Sequence, residues 1–232
     1  MVKLSSAQIL ELWERGALRH PLDRALLLLS YACREEPLDR LADVTIGERD
    51  QVLLLLRGAT FGCEVSSFID CPECKTRLEF MLDTAALRSE HCAFPVEIDG
   101  FQVRRPTSRD LASTVTVSDP AEAVRILAQR CCMAEGTGFL ELSMEQVEKI
   151  ASAIGEADSS ADMLLDFSCA ECGFTWQTPF DIASFLWREI ELKAKQLLAE
   201  VHALARAYGW SEREVLELSE ARRKAYIDMA VA

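Results

Sequence analysis

The chain has 232 residues, with 38 acidic against 25 basic side chains and a net charge of −13. That balance argues against binding nucleic acid or an anionic membrane surface, since both depend on neutralising phosphate. Half of the residues are hydrophobic and only 7% aromatic, which favours an aliphatic, mainly helical core over a β-sandwich, in one large domain or two small ones.

Helix signals dominate the first quarter. Ser5-x-x-Gln8 is a capping box, and the helix that it starts runs to about Gly16, with Ile9, Leu10 and Trp13 on one face. No secretory signal is read in Met1 to Ser6, and the longest apolar runs, Ala25 to Leu29 and Val52 to Leu56, are too short to span a bilayer. Pro21 opens a second helix with Leu22, Ala25, Leu26, Leu29 and Cys33 along it. Thr45-x-x-Glu48 caps a third, expected to reach about Thr60. Residues 5–60 therefore read as a three-helix lobe.

The pattern then changes period. Glu64 to Asp70 and Thr76 to Leu82 alternate as strands. Val96 to Val103 is a hairpin with Asp99-Gly100 at its turn. Thr107-Ser108, Asp119-Pro120 and Ser143-x-x-Gln146 cap three further helices. Met163 to Ser168 and Phe174 to Thr178 are strands again. Asp181 caps a long helix over about 182–208, ended by Gly209, and Ser211 and Ser219 start two short helices.

Between the strands lie Cys71-Pro72-Glu73-Cys74 and Cys169-Ala170-Glu171-Cys172. A C-x-x-C on a tight turn can aim two sulfurs at one metal ion, and two such turns complete a tetrahedral zinc shell with no open position. Gly173 suits a backbone that must curl back under the metal. Knuckles that have lost their metal, or a redox or disulfide pair, are the alternatives. The alternating Leu78, Phe80 and Leu82 after the first motif argue against the strand-to-helix turn of a redox pair. The expected site is one structural zinc held by Cys71, Cys74, Cys169 and Cys172, its halves separated by the 94 residues at positions 75–168.

The fold class expected is α+β and mainly helical: helical lobes around a split four-cysteine zinc ribbon of two β-hairpin knuckles, with a small inserted α+β lobe. The divisions expected are 1–60, 61–82, 83–159, 160–180 and 181–232. The nine cysteines, an odd number, point to a reducing cytoplasm. Cys33, Cys63, Cys92, Cys131 and Cys132 read as small buried hydrophobes; His91-Cys92 is an alternative metal arm without a second pair nearby.

No catalytic constellation stands out, and an enzyme is not expected. The three histidines, His20, His91 and His202, are far apart, and Gly136-x-Gly138 is too short to cradle a phosphate. The basic run at Arg104, Arg105 and Arg109 could serve a nucleic-acid-binding zinc ribbon, but reads better as a solvated hairpin end. Arg222-Arg223-Lys224 reads the same way, or as a match for an acidic partner.

Four blocks together resemble a known family. They are Gly47-Glu48-Arg49-Asp50 with Leu53-Leu54-x-Leu56-Arg57-x-x-Thr60-Phe61-Gly62; Cys71-Pro72-x-Cys74 with Leu78-Glu79; Arg104-Arg105-Pro106-Thr107-x-x-Asp110-Leu111; and Val201-His202-x-Leu204-Ala205-x-x-Tyr208-Gly209-Trp210-Ser211-Glu212 with Arg222-Arg223-x-x-Tyr226. They resemble the baseplate hub assembly chaperones of contractile-tailed phages and related bacterial contractile injection systems. The resemblance implies a non-enzymatic assembly factor whose partners are baseplate hub, spike or tape-measure proteins. A permanent structural or adaptor subunit of the same particle is the competing reading. Tyr208, Trp210 and Tyr226 are the candidate partner contacts, against packing of the carboxy-terminal helices.

Overall fold

A computed structural model of the chain describes residues 3–87, 95–133, 141–158 and 160–231. The candidate pair His91-Cys92 and the Gly136-x-Gly138 motif lie outside the described residues.

The amino-terminal helices are α1 (Ser6–Gly16), α2 (Pro21–Ala32), α3 (Leu38–Leu41) and α4 (Ile46–Phe61). Ser5 and Gln8 close a reciprocal box on α1: the Ser5 N–H donates to Gln8 Oε1 at 2.9 Å, and the Gln8 N–H to Ser5 Oγ at 3.3 Å. Thr45 accepts from the Glu48 N–H at 3.3 Å, while the Glu48 carboxylate faces Arg105 at 3.9 Å. The single-turn α3 was not expected, and four residues give too short a pattern to show a period.

Two hairpins and an insertion follow. Strands β1 (Glu64–Asp70) and β2 (Arg77–Asp83) pair antiparallel as a two-stranded sheet. The insertion holds β3 (Val96–Ile98), β4 (Phe101–Val103), α5 (Ser108–Ala112), α6 (Pro120–Cys131), β5 (Cys132–Met133) and α7 (Met144–Ala157). Asp99 and Gly100 both take positive φ, 48° and 84°, as a tight hairpin turn requires. Directly after α6, Cys132 pairs with Val103 and adds a third strand to that hairpin. Two residues are too few to announce a strand. The chain returns through β6 (Leu164–Ser168) and β7 (Thr175–Pro179), a second two-stranded hairpin. It ends in α8 (Ile182–Tyr208), α9 (Glu212–Glu217) and α10 (Glu220–Val231). The last of these is twelve residues long, not the short helix expected.

One core joins the two ends of the chain. Leu12 of α1, Leu28 of α2, Leu53 of α4 and Leu186, Ile190 and Leu197 of α8 belong to a single buried cluster. The helices expected as a lobe over 5–60 thus have their core completed by α8. Contact is close enough that a Cβ on Gly16 would run into the Trp187 indole. A second cluster, with Val103, Ala128, Cys131, Val147 and Ile150, sits inside the insertion.

Ion pairs stitch these parts together. Arg49 pairs with Asp50 at 2.7 Å and donates to Ser108 Oγ at 3.2 Å, joining α4 to α5. Beside it the Ile46 N–H donates to the Pro106 carbonyl at 3.0 Å. Arg104 grips Asp110 with two bonds of 2.6 and 3.0 Å, and Arg130 adds a third at 2.9 Å. Arg109 reaches Asp43 at 2.6 Å and Asp39 at 2.9 Å. The basic run read as a solvated hairpin end is therefore engaged with carboxylates of this chain, and Arg105 is buried. Arg223 is likewise buried, 2.6 Å from Glu200, leaving Arg222 and Lys224 of that triplet exposed.

Candidate metal centre

The two hairpins project their turns to one place, and each is anchored at its base. After α4 the chain turns at Gly62, and buried Arg57 holds that turn. Its guanidinium donates to the Gly62 carbonyl at 2.6 Å and the Glu64 carbonyl at 3.2 Å, and forks onto Glu189 of α8 at 3.0 and 2.8 Å. The Thr84 N–H and hydroxyl donate to the Cys63 carbonyl at 2.9 and 3.0 Å, closing the first hairpin. The Phe180 N–H donates to the Met163 carbonyl at 2.7 Å and closes the second.

Register then decides which faces meet. Val65, Ser67 and Ile69 lie opposite Leu82, Phe80 and Leu78, all on one face of the first hairpin. Phe80 from this face meets Phe167 of the second hairpin edge-on, ring centroids 5.0 Å apart, and Phe167 stacks on Trp176 at 5.5 Å. These aromatics pin the hairpins side by side.

The turns themselves repeat one backbone pattern. In the first, the Cys71 N–H donates to the Thr76 carbonyl at 2.9 Å and the Lys75 N–H to the Cys71 carbonyl at 3.0 Å. In the second, the Cys169 N–H donates to the Phe174 carbonyl and the Gly173 N–H to the Cys169 carbonyl, both at 2.9 Å. Lys75 and Gly173 occupy the same left-handed position, with φ of 62° and 72°. Glycine is the residue that this position favours; in the first turn Lys75 takes it, and its Nζ donates to the Pro72 carbonyl at 2.7 Å. The role of Lys75 was missed from sequence, although laying one C-x-x-C over the other aligns it with Gly173.

All four sulfurs, of Cys71, Cys74, Cys169 and Cys172, lie within 4.8 Å of one another. Two pairs cross between hairpins: Cys71 to Cys172 at 3.7 Å and Cys74 to Cys169 at 3.5 Å. Those separations are far beyond the roughly 2.05 Å of a disulfide. They match the edge of about 3.8 Å of a tetrahedron whose centre lies ~2.3 Å from each sulfur, the zinc–thiolate distance. Cys71 and Cys169 are buried; Cys74 and Cys172 face solvent.

Ionising the whole cluster would take a cation. The Thr76 hydroxyl, 3.3 Å from Cys74 Sγ, and the Thr76 backbone draw the Cys74 thiol down to about 6. The Phe174 N–H favours ionised Cys172, but desolvation and the three neighbouring sulfurs outweigh it and push that thiol up to about 12. Four thiols this close cannot all ionise without a counter-charge, and a soft divalent metal supplies one.

Tyr208, Trp210 and Tyr226 also come together, between the end of α8 and α10. Tyr208 stacks on Trp210 at 4.8 Å, Tyr226 packs edge-on against both, and the Tyr208 hydroxyl donates to the Tyr226 carbonyl at 3.1 Å. Only Tyr208 of the three is exposed.

A family model described as T4 bacteriophage base plate protein matches residues 23–187. The chain belongs to that family. The description names a baseplate protein and does not single out the hub chaperones that the sequence motifs resemble. The shared region of this baseplate-family chain runs from α2 into α8 and contains all four cysteines; Tyr208, Trp210 and Tyr226 fall beyond it. No curated protein and no solved structure matches the chain. Among the described residues, no helix is long and apolar enough to cross a membrane.

Proposed function

We propose that this baseplate-family chain is a non-enzymatic assembly factor. It would act as a chaperone for hub, spike or tape-measure proteins of a contractile tail or injection system, in the bacterial cytoplasm. The observation that carries this reading is the family match across 23–187, taken together with the motif blocks that the chain shares with hub chaperones. Two of those blocks meet in space, where Arg49 bonds Ser108 and the Glu48 carboxylate faces Arg105 at 3.9 Å.

One structural zinc belongs to the same proposal, held by Cys71, Cys74, Cys169 and Cys172 as a split zinc ribbon. A shell of four thiolates leaves no position for substrate or water, in keeping with a role without catalysis. The engagement of Arg104, Arg105 and Arg109 with acidic side chains supports a protein partner over nucleic acid. Tyr208, exposed at the tip of its aromatic cluster, remains the candidate partner contact there, with Trp210 and Tyr226 behind it.

Co-expression with the tail proteins of its own locus tests the reading. A stable complex with a hub, spike or tape-measure protein, absent from purified mature tails, is expected. Tail assembly that proceeds equally well without the chain would refute the chaperone role. The family description favours one second reading, a permanent baseplate subunit; finding the chain at fixed stoichiometry in mature particles selects it.

A further inference from the structure

The outer face of the β1–β2 hairpin carries apolar groups where a half-buried ribbon should be polar. Its inner face is already used, since Phe80 packs against Phe167 of the second hairpin. Pairing register puts Ser66, Phe68, Glu79 and Met81 on the opposite face. There Phe68 is 58% and Met81 67% exposed. They are diagonal neighbours, because Phe68 pairs with Glu79 and Met81 lies two residues further along β2. Together with Ser66 and Glu79 they line one shallow concavity.

Charge around this patch has one sign. Glu64, Glu79 and Asp83 point from the same face, and among the described residues none of the three forms an ion pair. The one cation on the face, Arg77, is bound to Asp70 at 3.0 Å and lies 4.2 Å over the Phe68 ring. A second copy of this chain would set one acidic rim against another, which like-charge repulsion opposes.

We propose that this face docks another baseplate protein through a segment that presents an apolar side chain beside lysine or arginine. The apolar residue covers Phe68 and Met81, and the cations meet Glu64, Glu79 and Asp83. The inference rests on the assembly-factor reading and names the surface and the partner chemistry that the reading leaves open. It places the contact inside the family-matched region, which ends before Tyr208.

The probe is the complex recovered by co-expression with the tail proteins of the same locus. Both Phe68 and Met81 are exposed, so Phe68→Ser with Met81→Ser should leave helicity and metal content unchanged while weakening the complex at least tenfold. Glu79→Lys should weaken it too and flatten its dependence on salt. A complex whose affinity changes less than twofold in both variants overturns the surface but leaves the assembly role standing. So does a double variant that only converts a homodimer to monomer. Failure to recover any complex with the unaltered chain overturns both.

Discussion

Asp110 shows how much a single side chain carries in this molecule. Its carboxylate is 1% exposed and accepts from Arg104 and Arg130 and from the Thr107 N–H and hydroxyl. Burial alone would raise its pKa, but Arg104 and Thr107 win and hold it down at about 2, against an ordinary 3.8. A carboxyl with a depressed folded-state pKa stabilises the fold above its unfolded value. That contribution is lost as pH falls from about 4 to about 2 and amounts to roughly 2–3 kcal/mol. Asp110→Asn should cost about 3 kcal/mol at pH 7, since two guanidiniums lose their counter-ion, and should flatten the acid limb of stability between pH 4 and 2, as read by denaturant titration. Gly173 makes a quieter test. Nothing lies within 4 Å of a Cβ built there, yet its φ of 72° means that Gly173→Ala should cost about 1 kcal/mol through backbone strain alone. An unchanged melting temperature would show the turn relaxing. These roles differ in how far they could be read ahead. Gly173 was visible because a turn is local. Asp110 was not, because one partner, Arg130, lies 20 residues away and no local pattern pairs them.

At the scale of elements, the hairpins owe their placement to side chains from elsewhere. Arg57 of α4 is the clamp at the base of the first one, and its fork onto Glu189 spans 132 residues. Arg57→Ala leaves Glu189 without its cation and two carbonyls without a donor, so a loss of roughly 3–5 kcal/mol is expected. Combined with Glu189→Gln, the loss should fall well short of the sum of the single changes in a double-mutant cycle. At the other end of the hairpins the sulfurs should dominate. Cys71→Ser and Cys172→Ser, one buried and one exposed, come from different turns, and each should abolish binding of one zinc per chain, measured by elemental analysis, and lower the thermal midpoint. Stoichiometric zinc retained in either variant would mean that the cluster is not the site. The strands and both turns were legible as alternation and as paired C-x-x-C motifs. Short elements such as α3 and β5 were not, since two to four residues establish no period.

For the whole molecule, two buried clusters make separate demands on the chain. Ile150, fully buried in the insertion, and Leu186, fully buried beneath α1 and α2, belong to different cores. Each change to alanine should destabilise its own core by about 2–5 kcal/mol. Hydrogen exchange should separate them. Ile150→Ala is expected to speed exchange in α6 and α7 while α2 and α8 stay protected, and Leu186→Ala to do the converse. Equal acceleration everywhere in both variants would mean that the molecule unfolds as one unit.

What the sequence determined by itself was the set of parts. Helix caps, the long apolar stripe of α8 and the alternation around each C-x-x-C are set by hydrogen bonds and side-chain periods within a few residues, so they can be read without a fold. The four candidate sulfur donors can be picked out by thiolate chemistry in the same way. Tertiary structure decided what those parts meet. It brought two turns about 100 residues apart to within 4.8 Å, set α8 into the core of the amino-terminal helices, and drew Arg105 and Arg223 out of solvent onto carboxylates of the same chain. Burying a charge is tolerable only where a partner waits, and in this chain most of those partners, Glu48, Glu189 and Glu200, lie far along the sequence.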